Sequence, residues 1–403
     1  MPLMKIYSYI REVGIPILFL VFIFLLNPYE LGIKTGYAII PVLIALKGRT
    51  LVNNIDKEFM LILAISVTYS AFEYFVVNRG MQYLFIQAAF PVVFYSIGRL
   101  MVNKNISDRG ILILLISIGI VYSATAVLSI ITDLRQGGLS QTNRSIASYW
   151  TGSEILATGM AGYLIYNTLI PSLLLVNKQK LGLFGIAAFM ALFFVNLIAG
   201  FRLGSRTLVV ILILSLLLSI FLLFRHQRAY RNIRLLFLLI LGGVAFYLFV
   251  PFDLDASIFS TLGQRLQRSD AVESTATAGN RVALWKEGLE NLVRYPLGWE
   301  SQRFHHNLWL DMAKKATIIP LLLFLIHNFL CYLNLKKLTV TQPVDFGLNV
   351  AFFMIILACY LLFFTEPIME GNFFAFVVYF LFYGIMVGYI RKREFASTKN
   401  EDD

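Results

Sequence analysis

Charge is scarce in this chain. Only 14% of its 403 residues are Asp, Glu, Lys or Arg, against roughly 25% in an average soluble domain. With 58% of residues hydrophobic and a mean hydropathy of +0.74, a water-soluble core cannot take up the apolar surface. Soluble, disordered and coiled-coil classes are excluded, and a polytopic α-helical membrane protein is what remains. Cysteine is scarcer still. Cys331 and Cys359 both sit in apolar runs, which excludes a secreted disulfide scaffold and reads as two small core residues. Histidine occurs four times, with no H-x-x-x-H spacing and no cysteine near the His305–His306 pair, so no zinc site is expected. Internal repeats and low-complexity stretches are absent too.

What is present is apolar sequence in long runs. Twelve approach or reach bilayer-spanning length: 10–27, 31–46, 59–77, 81–102, 110–132, 152–176, 181–200, 206–224, 235–252, 316–334, 348–368 and 371–390. The opening run lacks a small-residue cleavage site after it and reads as a retained span. With the N-terminus inside and the runs alternating, inner segments collect 20 basic residues and outer segments 13, with Lys34 inside a span. Eight of the outer ones lie in a single long loop, where the positive-inside bias is weak. The net charge of +11 is thereby used for orientation and gives no ground for nucleic-acid binding. The expected fold is all-α: a transmembrane helical bundle of about twelve spans with both termini inside. Helices one to nine occupy 1–252, an outer loop with short helices 253–315, helices ten to twelve 316–390, and a polar tail 391–403.

The long loop has its own pattern. From Arg281 to Tyr295, Val282, Trp285, Leu289 and Leu292 recur at helical spacing with Lys286, Glu287 and Glu290 between them. This predicts an amphipathic helix lying on the membrane or on the rest of the protein, ended by Pro296 and Gly298. A second helix is expected to start near His305 and run directly into the tenth span. Residues 264–280 are small and polar.

Of the 13 outer basic residues, ten are arginine. Arg202 and Arg206 share the tight loop FRLGSR, Arg281 opens the amphipathic helix, and Arg265, Arg268, Arg294 and Arg303 share the long loop. Outer arginines work against the expected topology, and guanidinium grips phosphate oxygens with two parallel donors. A diphosphate or other acidic ligand is one reading; lipid headgroups, or pairing with Asp253, Asp255, Glu287 and Glu300, is the other. His305 and His306, beside Asn307, offer a general base for a hydroxyl or an interfacial hydrogen-bonding pair. Adjacent helical residues point about 100° apart, so at most one histidine faces a given site. Trp150, Trp285, Trp299 and Trp309 all fall on the outer side, where indoles either anchor at the interface or stack on sugar rings. Glu73, Glu154, Glu366 and Glu370 lie at the outer ends of spans. Intramembrane acids are functional candidates, but near water they are also inexpensive to keep.

Three segments in order, GSRTLVVILIL at 204–214, GNRVALWKEGLENLVRYPLGW at 279–299 and HHNLWLD at 305–311, resemble the O-antigen ligase and O-antigen polymerase superfamily. Its members are bacterial inner-membrane proteins with a large periplasmic loop late in the chain. The resemblance is at motif level over about residues 195–335. It implies transfer of a glycan from an undecaprenyl diphosphate donor to a sugar hydroxyl at the periplasmic face, inverting and without metal or cofactor. On the matching positions, Arg206 and Arg281 would bind the donor diphosphate, and His306 would position or deprotonate the acceptor. Asn307 would support the local turn. Arg202 joins the diphosphate set by proximity in sequence, and Trp285, Trp299 and Trp309 are candidate glycan contacts. Asn280 stands where the family has glycine. Family members also carry an acid and a glycine about nine and eleven positions after the histidine; here those are Lys315 and Thr317.

The compact loop between Pro296 and His306 favours a repeat-unit polymerase over a ligase to lipid A core. Expected partners are the lipid-linked donor, a glycan acceptor and membrane lipids, with a chain-length regulator as a further candidate. The rivals are a lipid-linked glycan transporter and a scaffold of an envelope-polymer complex. A two-halved facilitator would show repeated halves and a long inner loop after span six, and neither is in the sequence.

Overall fold

The computed structural model describes residues 3–77, 80–103, 106–138, 143–226, 278–299, 305–338 and 345–401. These form α1 (Leu3–Val13), α2 (Ile15–Leu26), α3 (Gly32–Asn53), α4 (Lys57–Val77), α5 (Met81–Met101), α6 (Asp108–Gly137), α7 (Ala157–Val176), α8 (Lys178–Leu203) and α9 (Arg206–His226). They continue with α10 (Ala278–Arg294), α11 (Leu308–Ala316), α12 (Ile318–Lys336), α13 (Phe346–Thr365), the single-turn α14 (Ile368–Gly371) and α15 (Phe373–Glu401). Among the described residues nine helices are long and apolar enough to cross a membrane: α3 to α7, α9, α12, α13 and α15. The chain is a multi-pass helical membrane protein. Two shorter apolar segments, Ile15–Leu26 and Ala191–Leu203, fall on the first and seventh expected spans. The ninth expected span, residues 264–277 of the loop, and Arg265, Arg268 and Arg303 lie outside the described residues.

Three sequence expectations change. The opening run is two helices, broken at Gly14 with φ +102°. The helix after His305 does not run into the following span, because Thr317 at φ +75° separates α11 from α12. An antiparallel pairing of Ile146–Ala147 with Glu154–Ile155 takes up the start of the expected span 152–176, so that α7 begins at Ala157.

The chain forms two compact units: residues 1–122 with 275–403, and residues 123–274. In the first, α15 packs along α5 at backbone distance. A Cβ on Gly98 would lie 2.2 Å from the Leu381 carbonyl oxygen, and one on Gly384 2.1 Å from that of Tyr95. Gly384 and Gly388 form a small-xxx-small stripe of the kind that lets membrane helices touch where lipid offers no hydrophobic drive to associate. Gly384→Leu should force the pair apart, at a cost of about 3 kcal/mol by overpacking arguments. It should lower the melting temperature of the detergent-solubilised protein far more than Gly48→Leu, whose added Cβ meets nothing within 4 Å.

The two ends of this unit differ. At one, Asp56 ahead of α4 accepts from Arg99, Arg391 and Tyr95, and Asp108 accepts from Arg393. At the other, the last turn of α4, the start of α12 and the end of α13 come together under α10 and α11. The second unit is organised around Ala126, Ile130, Ile146, Met160, Leu164 and Leu203, which joins the strand pair to α7, α8 and the rear half of α6.

Candidate functional site

The segment His305–Asn307 links α10 to α11 in the first unit, and its shape follows from two side chains. Asn307 caps α11, its Oδ1 accepting from the backbone N–H groups of Trp309 (3.1 Å) and Leu310 (3.3 Å), which satisfies donors a helix start leaves open. Asp311, one turn into α11 and fully buried, reaches back. Its Oδ1 accepts from the His305 N–H at 2.9 Å and lies 3.2 Å from His305 Nδ1, while Oδ2 accepts from the Asn307 N–H at 3.4 Å. From above, the Trp285 indole N–H donates to the His305 carbonyl at 2.9 Å. Gly288 lets α10 lie flat, since a Cβ there would sit 2.8 Å from His305 Cδ2. His305 is thereby walled in, with Trp299 edge-on to its ring at 5.7 Å.

His306 is turned the other way. Its φ of +53° is uncommon outside glycine, and its side chain keeps 29% of its surface exposed. Nδ1 lies 4.0 Å from Oε2 of Glu366, the residue that ends α13, and Glu366 Oε1 lies 3.6 Å from Arg281 Nη2. Burial, followed by the Arg281 guanidinium, holds the His306 imidazole below its ordinary value of 6.5, since both disfavour the charged ring. A neutral imidazole, accessible and beside a carboxylate, is equipped to accept a proton from a hydroxyl. Four residues after Glu366, Glu370 lies 2.5 Å from Lys315 Nζ, and Glu73 lies 4.0 Å from the same nitrogen.

The structure therefore brings Arg281 and His306 to one carboxylate. Trp285 and Trp309 line the same region but direct their N–H groups inward, Trp285 to the His305 carbonyl and Trp309 to the Asn328 side-chain amide, whose oxygen accepts at 2.9 Å when the amide is turned to match its neighbours. Trp285 packs edge-on to Phe364 at 4.6 Å. Both hold the histidine segment in place. Trp299 is half-buried and has no hydrogen-bond partner for its N–H among the described residues.

Arg202 and Arg206 belong to the second unit. Gly204, at φ +55°, ends α8, and Arg206 is the first residue of α9. Arg202 is wholly buried. Its Nε and Nη2 donate to the two carboxylate oxygens of Asp133 at 2.6 and 3.2 Å, and Nη1 donates to the Asn143 carbonyl at 2.7 Å. Its fork is filled by protein, so it braces the loop instead of offering donors to a ligand. Arg202→Ala should strand the Asp133 carboxylate at a cost of about 3–5 kcal/mol, read as lost yield and a lower melting temperature. Arg206, by contrast, is half-exposed and pairs with no carboxylate among the described residues.

Compared with known proteins, the chain matches no family model and no curated protein.

Sequence reasoning assigned no role to Asp311 and set Glu366 among acids that are inexpensive to keep near water. The signal for Asp311 was its place four residues after Asn307, within reach of the segment that precedes α11. Glu366 is some sixty residues from His306 in sequence, and only the packing of α13 against α11 brings the two together.

Proposed function

We propose that this chain is a polysaccharide polymerase of the bacterial inner membrane. It transfers a glycan from undecaprenyl diphosphate to a sugar hydroxyl at the periplasmic face. In this reading about twelve spans cross the membrane, both termini are cytoplasmic, and α10 and α11 belong to a periplasmic loop. The observation that carries it is His306, a half-exposed neutral imidazole flanked by Glu366 and Arg281 in the segment whose sequence resembles the family's catalytic motif.

His306 takes the proton of the acceptor hydroxyl. The oxygen attacks the anomeric carbon, the bond from that carbon to the diphosphate oxygen breaks, and undecaprenyl diphosphate leaves with the bonding pair. The charge that grows on the leaving group is met by guanidinium donors that need no proton transfer of their own. Arg281 supplies these from the His306 region, where its 3.6 Å pairing with Glu366 is too long to saturate it. The resemblance assigns Arg206 to the same task. Glu366, beside both groups, balances the imidazolium once it forms. Transfer should fall on acidification with its midpoint below the ordinary imidazole value of 6.5, because the base is lost when it protonates and its pKa lies low. Initial rates between pH 4.5 and 8.5 check this.

A ligase to lipid A core would share the donor and differ in the acceptor. Glycan profiles of a deletion strain separate the readings. Core capped by a single repeat unit, with the ladder restored by the wild-type gene, supports the polymerase. Bare core with polymer left on the lipid carrier supports the ligase. A transporter or scaffold is supported if the His306→Ala gene restores the wild-type profile.

A further inference from the structure

The apolar arc of α10 is wider than the surface that packs on the protein. Gly288 is buried against His305 and Leu310 and Leu284 is buried as well, with Trp285 and Leu292 half-buried. Val282, Leu289 and Val293 stay 63, 57 and 83% exposed. At about 100° per residue these three fall within some 40° of one another, so they form a single open stripe. The stripe has a fixed depth. The turn after α10 is bonded to the first residue of a membrane span and to the helix just before it: the Ile318 N–H donates to the Pro296 carbonyl at 2.9 Å, and the Trp299 N–H to the carbonyl of Lys314 in α11 at 3.1 Å. From Ile318, α12 descends with Ile319, Leu322, Ile326 and Phe329 exposed on one side, the side a span turns to lipid. Exposed Leu297 lies in the turn joining the two surfaces.

We propose that the open stripe of α10 is seated in the surface of the bilayer, among phospholipid acyl chains at headgroup depth. The continuity with the lipid-facing side of α12 fixes this occupant. Lys286 lies on the edge of the stripe with 79% of its side chain exposed, and its stem can cover apolar surface while its ammonium reaches lipid phosphates. A helix held in this way carries Arg281 at the level where a membrane-borne diphosphate lies. That consequence rests on the function proposed above; the seating itself does not.

The test places an environment-sensitive fluorophore on Leu289→Cys and, separately, on Val293→Cys in the full-length protein in phospholipid nanodiscs. Glu290→Cys is the control on the polar face. Cys331 and Cys359 are buried and do not compete for the label. Labels at 289 and 293 are expected to emit to the blue of the control, to lose intensity to nitroxide carried on shallow lipid positions, and to resist aqueous iodide. Quenching by iodide equal to the control would show a stripe open to water and overturn the proposal. Protection from both quenchers would show a covering by protein and overturn it as well. No glycan transfer enters the readout, so a failed polymerase assignment and a failed seating are told apart.

Discussion

His306→Ala is expected to abolish polymer formation while leaving the protein inserted at wild-type abundance. The loss should be at least ~100-fold in initial rate, the lower end of what a positioned general base contributes. The shape of the segment is set by Asp311, Asn307 and Trp285, whose side chains bond the backbone of residues 305, 307, 309 and 310. Alanine also tolerates the backbone position at modest strain, so abundance and melting temperature should move little. His305→Ala should do the reverse. It strips the imidazole from Asp311 inside a closed pocket and leaves the carboxylate only the backbone N–H donors of residues 305 and 307, and yield should fall before any effect on transfer can be isolated. Quantitative blotting beside the transfer assay distinguishes the two. A His306→Ala protein with near-normal rate would remove the general base from the mechanism.

The second large effect is expected at Arg206. Arg206→Lys should fail almost as fully as Arg206→Ala, by roughly 100- to 1,000-fold, the range for losing one preorganised donor to a developing oxyanion. Lysine keeps the charge but not the planar two-donor fork that matches diphosphate. Arg202, four residues away, supplies the contrast. Its fork is spent on Asp133 and Asn143, so its substitutions should act on stability. A lysine variant of Arg206 with near-full activity would exclude a bidentate role.

Much of the architecture is legible in the sequence because a bilayer forces backbone groups to pair within each segment, so length and hydropathy alone report helices. Nine of the twelve expected runs are helices of spanning length among the described residues. The interruptions were less legible. Thr317 occupies φ +75°, ψ 172°, a region that belongs to glycine, and no propensity rule places a β-branched residue there. In the superfamily that the sequence resembles, a glycine about eleven positions after the histidine is the one pointer to a break between α11 and α12, and this chain has Thr317 there. Lys315 is a similar case. It stands where the family has an acid, and the acids it meets, Glu73 and Glu370, come from α4 and α14.

For the candidate site, the residues were legible and their division of labour was not. The spacing of Val282, Trp285, Leu289 and Leu292 describes one apolar face, whereas the packing splits it into a half against the protein and a half left open. Arg202 and Arg206 look equivalent in FRLGSR until Asp133, about seventy residues earlier, is seen to take one of them. Partner choice of this kind is set by tertiary packing, which sequence spacing does not encode.

The most direct measurement reconstitutes the purified chain in nanodiscs with an undecaprenyl diphosphate-linked repeat unit, with and without EDTA. Polymer length and released undecaprenyl diphosphate are followed together. The expected result is a ladder of products with one undecaprenyl diphosphate freed per new linkage, unchanged by EDTA. Asp253 and Asp255, spaced Asp-x-Asp in the sequence, lie outside the described residues, and loss of activity in EDTA would turn attention to a metal there. Donor recovered intact in the presence of acceptor, with the protein folded, would contradict the assignment as a glycan polymerase.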